Sequence, residues 1–280
     1  MIGEAAAADG FGIVEAIVLG LVEGLTEFLP VSSTGHLIVV QRLLGLPANE
    51  VNNVFVVGVQ IGAITAILVL YARRLLAAAA RLPSFRRGEP NLLIQIVVAA
   101  MPAAVLGLLF DEQIDAHLFT AGVVAATMVG GGVLLLLLER WLARGAPAER
   151  TLETMSYRTA LAIGLFQCLA LVPGTSRSAA MIGGALLLGL SRTAAAEFSF
   201  LVGLPVLYGA GVLKLATHAE LLAGELVLPF VVATAVSFAS ALLVVAPFVR
   251  FLRQHTFAPF AWYRLVAGLL LVLALVVGWL

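Results

Sequence analysis

The sequence predicts an all-α polytopic membrane protein: six transmembrane helices plus two re-entrant helical hairpins, arranged as an inverted-topology repeat. Three observations predict it. Of 280 residues, 62% are hydrophobic and only 11% charged, against about 25% charged in soluble domains. Six stretches are apolar over the roughly 20 residues that a bilayer crossing takes. Two further apolar runs each break at a proline, Pro30 and Pro173, into a polar turn and a second short apolar run.

Composition also excludes. The mean hydropathy is +1.09 and the formal net charge is zero, so no global charge attracts nucleic acid or an acidic partner. The one cysteine, Cys168, forms no internal disulfide and belongs to no Cys/His metal pattern. It reads as a small buried hydrophobe. The N-terminus, MIGEAAAADGFG, lacks the basic region of a secretory signal.

In order along the chain, residues 11–29 form an apolar run that stops at Pro30, and residues 36–46 resume it. Each piece is short for a span. Short apolar pieces joined by a Pro/Ser/Gly turn predict a re-entrant hairpin, whose irregular backbone is tolerated at membrane depth only against protein or a water-filled cavity. Spans follow at 53–71, 91–110 and 119–138. The pattern then repeats: 159–172 stops at Pro173, 179–190 resumes, and spans follow at 195–213, 227–249 and 261–280. Phe55 lies 25 residues after Pro30, and Phe198 lies 25 after Pro173. Pro102 and Pro247 are offset by 145 residues against 143 for the two hairpin prolines. The chain therefore reads as one membrane domain, 1–280, made of repeats 1–145 and 150–280. A hairpin plus three spans turns the second copy upside down, the plan of many transporters, with a site at the midplane.

Arginines set the orientation. Arg73, Arg74, Arg81, Arg86 and Arg87 fall in one loop, Arg140, Arg144, Arg150 and Arg158 in another, and Arg192, Arg250 and Arg253 on the same side. That side is expected to be cytoplasmic. The acidic loop with Asp111, Glu112 and Asp115 then faces out, as does loop 214–226. The first hairpin enters from outside and the second from the cytoplasm, so their tips can meet.

The tips hold the chemistry. Residues 20–36, GLVEGLTEFLPVSSTGH, put Glu23 and Glu27 on one helix face. Two carboxylates kept from bulk water either come apart in their pKa values or share a cation; a pair at a helix end in the headgroup region is the plainer alternative. Ser32, Ser33 and Thr34 precede the next helix. They suit N-capping, and a helix N-terminus there also suits a phosphate. A serine there becomes a nucleophile if His36 or Glu27 is its base. The second tip, PGTSRS at 173–178, offers Arg177 with Ser176 and Ser178. A buried guanidinium needs an anion, either a tip glutamate or a substrate phosphate held bidentately. Together the tips suit phosphoryl transfer. Gln60, Thr65 and Gln95 read as bonds between helices. Glu197 reads as an acid at a helix start or a site member, and Trp141, Trp262, Tyr263 and Trp279 as interface anchors.

EGLTEFLPVSSTGH (23–36) and PGTSRS (173–178) resemble the two signature motifs of the bacterial undecaprenyl-diphosphate phosphatases, the bacitracin-resistance type. GVQIGAI (58–64), MPAAVLGLLF (101–110), FQCLALVPG (166–174) and SRTAAAEFSFL (191–201) extend the resemblance over essentially the whole chain. The resemblance implies hydrolysis of undecaprenyl diphosphate to the monophosphate and inorganic phosphate. This recycles the lipid carrier for peptidoglycan, with a divalent cation, Mg or Ca, as cofactor. Matched residue by residue, it makes Ser33 the nucleophile, Glu23 and Glu27 the acidic pair and candidate metal ligands, and His36 a catalytic assistant. Arg177 becomes the diphosphate binder, with Ser176, Ser178, Ser32 and Thr34 beside it. One departure stands out: Ala179 and Met181 replace the family's glycine and threonine. The expected partners are the polyprenyl diphosphate lipid and the bilayer of the bacterial inner membrane, with the site open to the extracytoplasmic side; a homodimer stays open. The competing function is a polyprenyl-phosphate flippase, which the repeat alone would suit. A flippase needs a phosphate cradle but neither nucleophile nor acid pair.

Overall fold

The computed structural model describes residues 12–47, 49–83, 89–118, 120–145, 149–222 and 224–279. The expectations for residues 1–11, Arg86 and Arg87 lie outside the described residues. Ten α-helices make up the described fold. They are α1 (Ile13–Thr26), α2 (Ser33–Leu43), α3 (Glu50–Ala80), α4 (Leu92–Leu118), α5 (Ala121–Leu142), α6 (Tyr157–Gln167), α7 (Arg177–Leu187), α8 (Arg192–Thr217), α9 (Val227–Phe251) and α10 (Ala258–Val276). No β-strand occurs among the described residues beyond one isolated bridge between Arg150 and Leu190.

Six of these helices are long and apolar enough to cross a membrane: α3, α4 over Leu92–Phe110, α5, α8, α9 and α10. Their outer faces expose large apolar side chains, among them Leu108, Leu243 and Val276. The chain is thus a multi-pass membrane protein. The other four helices are short. With 14 residues, α1 is about 21 Å long at 1.5 Å per residue, less than the roughly 30 Å hydrocarbon layer. Helices α2, α6 and α7 have 11 residues each.

Helix ends depart from the expected spans for a local reason. Hydropathy marks where the membrane ends, not where the helix does. The stretch ARRLLAAAA continues α3 to Ala80 because Ala, Leu and Arg are the best helix formers. The residues expected as an acidic loop form the end of α4, beyond a break at Phe110 (φ −122°, ψ 15°). Starts follow side-chain caps: Asn49, Thr120, Ser156 and Ser191 each accept the amide of the residue three further on.

Helix α9 lies against both α1 and α3, α4 lies against both α6 and α8, and α5 pairs with α10 and α3 with α8. The first crossing is close. Gly20 of α1 sits on the Ala233 carbonyl and Gly62 of α3 on that of Thr234. Small residues permit such approach in membrane bundles. Gly20→Val is therefore expected to force α1 off α9 and cost about 1–3 kcal/mol, read as a lower thermal midpoint in detergent. An aromatic chain ties the first tip to the rest. Phe28 meets Phe200 edge-on at 5.2 Å, and Phe200 continues to Phe248, Phe257 and Phe260.

Arginines gather at one end of the bundle. Arg74 of α3 bonds Glu197 at the start of α8 (2.7 Å) and also Glu153. Arg192 grips both oxygens of Glu139 at the end of α5, and Glu139 also accepts the amide of Phe257 just before α10 (2.7 Å). Glu197 is thereby a member of this ion cluster. Gln95 donates to the carbonyls of Leu152 and Met155, and Thr65 bonds Tyr208. Cys168 is only half-buried, because it lies in the 3-10 turn that follows α6.

Candidate active site

Two helix–turn–helix units meet tip to tip. In each, a serine caps the second helix: Ser32 accepts the amide of Gly35 (3.3 Å) and Ser176 that of Ala179 (3.2 Å). Both serines sit at φ 71°, the only non-glycine residues with positive φ among those described. Strain of this kind costs about 1–3 kcal/mol per residue and persists where the surroundings enforce it. The amides of Ser33 and Thr34, and those of Arg177 and Ser178, donate to no protein acceptor. Each second helix thus presents free N–H groups at its start, which suits an anion.

The tips are joined by their own polar groups. Ser178 is fully buried and donates to the Leu29 carbonyl (2.8 Å), with Ser176 Oγ 3.0 Å away. Arg177 reaches across to Glu27, Nη2 to Oε1 at 3.2 Å, and donates through Nη1 to the Ser199 carbonyl at 2.6 Å. Its Nε has no partner. On the other carboxylate oxygen, Glu27 Oε2 accepts the Ser33 hydroxyl at 2.6 Å. Glu27 therefore lies between a hydroxyl and a guanidinium, and all three border a cavity of about 190 Å³. Ser32, Thr34 and Ser176 line it too. One wall is apolar, from Ala103, Ala170, Leu171, Val206 and Leu207.

Of the sequence-predicted residues, the structure brings Glu27, Ser33, Ser32, Thr34, Ser176 and Arg177 to this cavity, while Ser178 ties the tips together from behind. Glu23 of α1 stands one turn before Glu27, the residue that caps this helix; it is 1% exposed, lies beside the Glu27 carboxyl, and finds no other side-chain partner among the described residues. His36 faces elsewhere. Its Nδ1 donates to the Ser32 carbonyl (2.7 Å), so in the neutral ring Nε2 accepts from the Tyr263 hydroxyl (2.5 Å), and the two rings stack at 5.5 Å. The hydrogen bond of Ser33 goes to Glu27 instead. Tyr263 is thus more than an interface anchor. Met181 is fully buried in the hydrophobic core and is not among the residues that line the cavity.

Sequence reasoning gave three residues no site role, although Gln167 holds in the second copy roughly the place of the acids in the first. Gln60 and Gln167 line the cavity. Arg264 of α10 is fully buried and donates to four carbonyls: Thr127 (2.9 Å) and Met128 (3.4 Å) of α5, and Gly174 (3.1 Å) and Thr175 (3.0 Å) of the second tip. Gly174, at φ +84°, is pressed against Thr127 and Val124, and Thr127 donates to the Pro173 carbonyl at 2.7 Å. The signal for Arg264 was available, since an arginine inside an apolar span is the same signal that marks Arg177.

A divalent cation can be tested against the donors present. Glu23 and Glu27 offer carboxylate oxygens and Ser33 a hydroxyl, donor types that suit hard cations such as Mg or Ca. Buried Glu23, which no donor side chain among the described residues satisfies, is the kind of group such an ion would satisfy. The residues fit.

Comparison with known proteins follows the same lines. A family model described as "Bacitracin resistance protein BacA" matches residues 16–270. An undecaprenyl-diphosphatase of Verminephrobacter eiseniae is 45% identical over 270 residues, covering 95% of this chain and 96% of the relative. One of Enterococcus faecalis is 39% identical, covering 95% and 98%. One of Parvibaculum lavamentivorans is 46% identical, covering 92% and 95%.

Proposed function

The chain belongs to the bacitracin resistance protein BacA family, and we propose on that ground how its joined tips hydrolyse a lipid diphosphate. It is an undecaprenyl-diphosphatase, releasing inorganic phosphate and returning undecaprenyl phosphate as the carrier for peptidoglycan synthesis, with bacitracin resistance as a consequence. The observation that carries the residue-level reading is the Ser33–Glu27–Arg177 contact at one cavity.

In this reading the distal phosphate enters between Arg177 and the free amides of the two helix starts. Arg177 and those amides hold the non-bridging oxygens. Glu27 takes the Ser33 proton as Ser33 Oγ attacks the distal phosphorus. The bond to the bridging oxygen breaks, and undecaprenyl phosphate leaves. Glu27 releases that proton to the departing lipid phosphate. Water then attacks the phosphoserine, giving a proton to Glu27, which returns it to Ser33 Oγ as the P–O bond to serine breaks and inorganic phosphate departs. The apolar wall takes the first isoprene units. Ser176 and Thr34 add donors, Ser32 and Ser178 hold the tips, and His36 buttresses the turn through the Ser32 carbonyl. Glu23 and Glu27 would hold Mg or Ca, which when bound supplies positive charge to the diphosphate. Chelation by EDTA is expected to abolish turnover and added Mg or Ca to restore it, measured as phosphate release. The site is complete within one chain, so this chemistry needs no second copy. The flippase reading leaves the Ser33–Glu27 bond without a purpose.

The two short helix pairs are read as re-entrant hairpins of an inverted repeat in the inner membrane. Their shared backbone at Ser32 and Ser176 supports this. So do the paired packings of α1 with α9 and α6 with α4. The arginine-rich end is cytoplasmic by the positive-inside rule. In a Cys168→Ala background, Leu82→Cys should resist an impermeant thiol reagent in intact cells and His117→Cys should react; the reverse labelling would overturn the orientation.

Phosphate release by the purified protein from a C55 or C15 isoprenyl diphosphate tests the mechanism. Wild type is expected to turn over with Mg or Ca, and Ser33→Ala to lose roughly a thousandfold or more, as loss of a nucleophile does. Full turnover by Ser33→Ala would remove serine from the reaction.

A further inference from the structure

Gln167 is a buried polar side chain that the mechanism above leaves unused. It closes α6, is 2% exposed, and lines the cavity that Ser33, Glu27 and Arg177 share. Neither Nε2 nor Oε1 has a hydrogen-bond partner among the described residues. Buried amides are almost always hydrogen-bonded, so one left open at a binding cavity calls for a ligand. Gln60 lines the same cavity but is only half-buried, so it poses no such demand.

The position has a counterpart. The capping serines Ser32 and Ser176 lie 144 residues apart, the interval that also separates Glu23 from Gln167. Both side chains are buried, and neither finds a hydrogen-bond donor among the described residues. The first hairpin keeps an acid, which suits a cation. The second keeps a neutral amide in the unit that carries Arg177. A carboxylate on that unit would repel a diphosphate, whereas an amide donates to it without adding charge.

We propose that Gln167 is a substrate-contacting residue of the hydrolysis, its Nε2 donating to a non-bridging oxygen of the diphosphate. The inference rests on the phosphatase reading above. A purely structural role predicts a different signature, because Gln167 gives the fold no side-chain hydrogen bond to lose.

The test uses the full-length protein in detergent, a C15 isoprenyl diphosphate as substrate, and inorganic phosphate as competing inhibitor. Gln167→Met is expected to lower kcat/KM roughly 10- to 100-fold, the worth of a hydrogen bond to a charged group. Inhibition by inorganic phosphate should weaken by a similar factor, with the thermal midpoint unchanged or raised. Gln167→Glu should lose more than Gln167→Met. Wild type and Arg177→Ala are measured beside them. If wild type releases no phosphate, or Arg177→Ala matches it, the phosphatase site itself is wrong. If Arg177→Ala is impaired but Gln167→Met keeps kcat/KM and phosphate inhibition within about twofold, well under the expected loss, this proposal alone falls. It also falls if the thermal midpoint drops in step with activity.

Discussion

Arg177→Ala is expected to cut phosphate release by about a thousandfold, the lower end of what a guanidinium contributes to phosphoryl transfer. It is also expected to lower stability by about 3–5 kcal/mol, because it leaves a buried charge without its partner. Both effects come from one geometry. The Arg177 and Glu27 side chains are only 9% and 7% exposed, and Glu27 has no other cation among the described residues. Arg177→Lys separates the two. It keeps a positive charge near Glu27, so most of the stability survives. It loses the planar fork that spans Glu27 and the Ser199 carbonyl, and with it the bidentate hold on phosphate. Thermal unfolding with kcat/KM on the same preparations checks both. An Arg177→Lys variant with wild-type turnover would show that charge alone suffices.

Arg264→Met is expected to destabilise by about 3 kcal/mol or more although no catalytic group is touched. Four buried carbonyls lose their donor at once, and an unsatisfied buried polar group costs about 1–3 kcal/mol. Removing a buried charge with no carboxylate partner recovers part of that loss. The carbonyls of Gly174 and Thr175 belong to the turn that aims Arg177. Loosening that turn by about 1 Å would cost roughly a hundredfold in rate. Arg264→Lys should rescue neither effect, since one ammonium cannot serve carbonyls on two elements. A variant with an unshifted thermal midpoint and full activity would make the buried guanidinium dispensable.

Much of the molecule is legible in its sequence, and for physical reasons. Pro30 and Pro173 lie in the polar turns between the paired short helices, so both pairs show as broken apolar runs, although Pro102, Pro205 and Pro247 stand inside helices. A carboxylate or guanidinium in an apolar chain signals a use, and Glu27, Ser33 and Arg177 do converge on one cavity. The ends of α3 and α4 were hidden because a helix continues past the apolar boundary when its residues favour it. The roles of His36 and Tyr263 were hidden because a histidine's partner 227 residues away leaves no mark on local spacing. Arg264 escaped because it lies beside Trp262 and Tyr263, which read together as an interface belt. Gln167 shows in the sequence as the counterpart of the acids in the second copy; its burial without partners among the described residues is a property of the fold.

The central claim is that two tips, far apart in sequence, form one catalytic unit. A double-mutant cycle on kcat/KM tests it most directly, comparing Ser33→Ala, Arg177→Ala and the double variant. Residues acting as a unit are strongly non-additive. The double variant is therefore expected to be no slower than the worse single variant. A double variant slowed by the full product of the two separate losses would contradict a shared site.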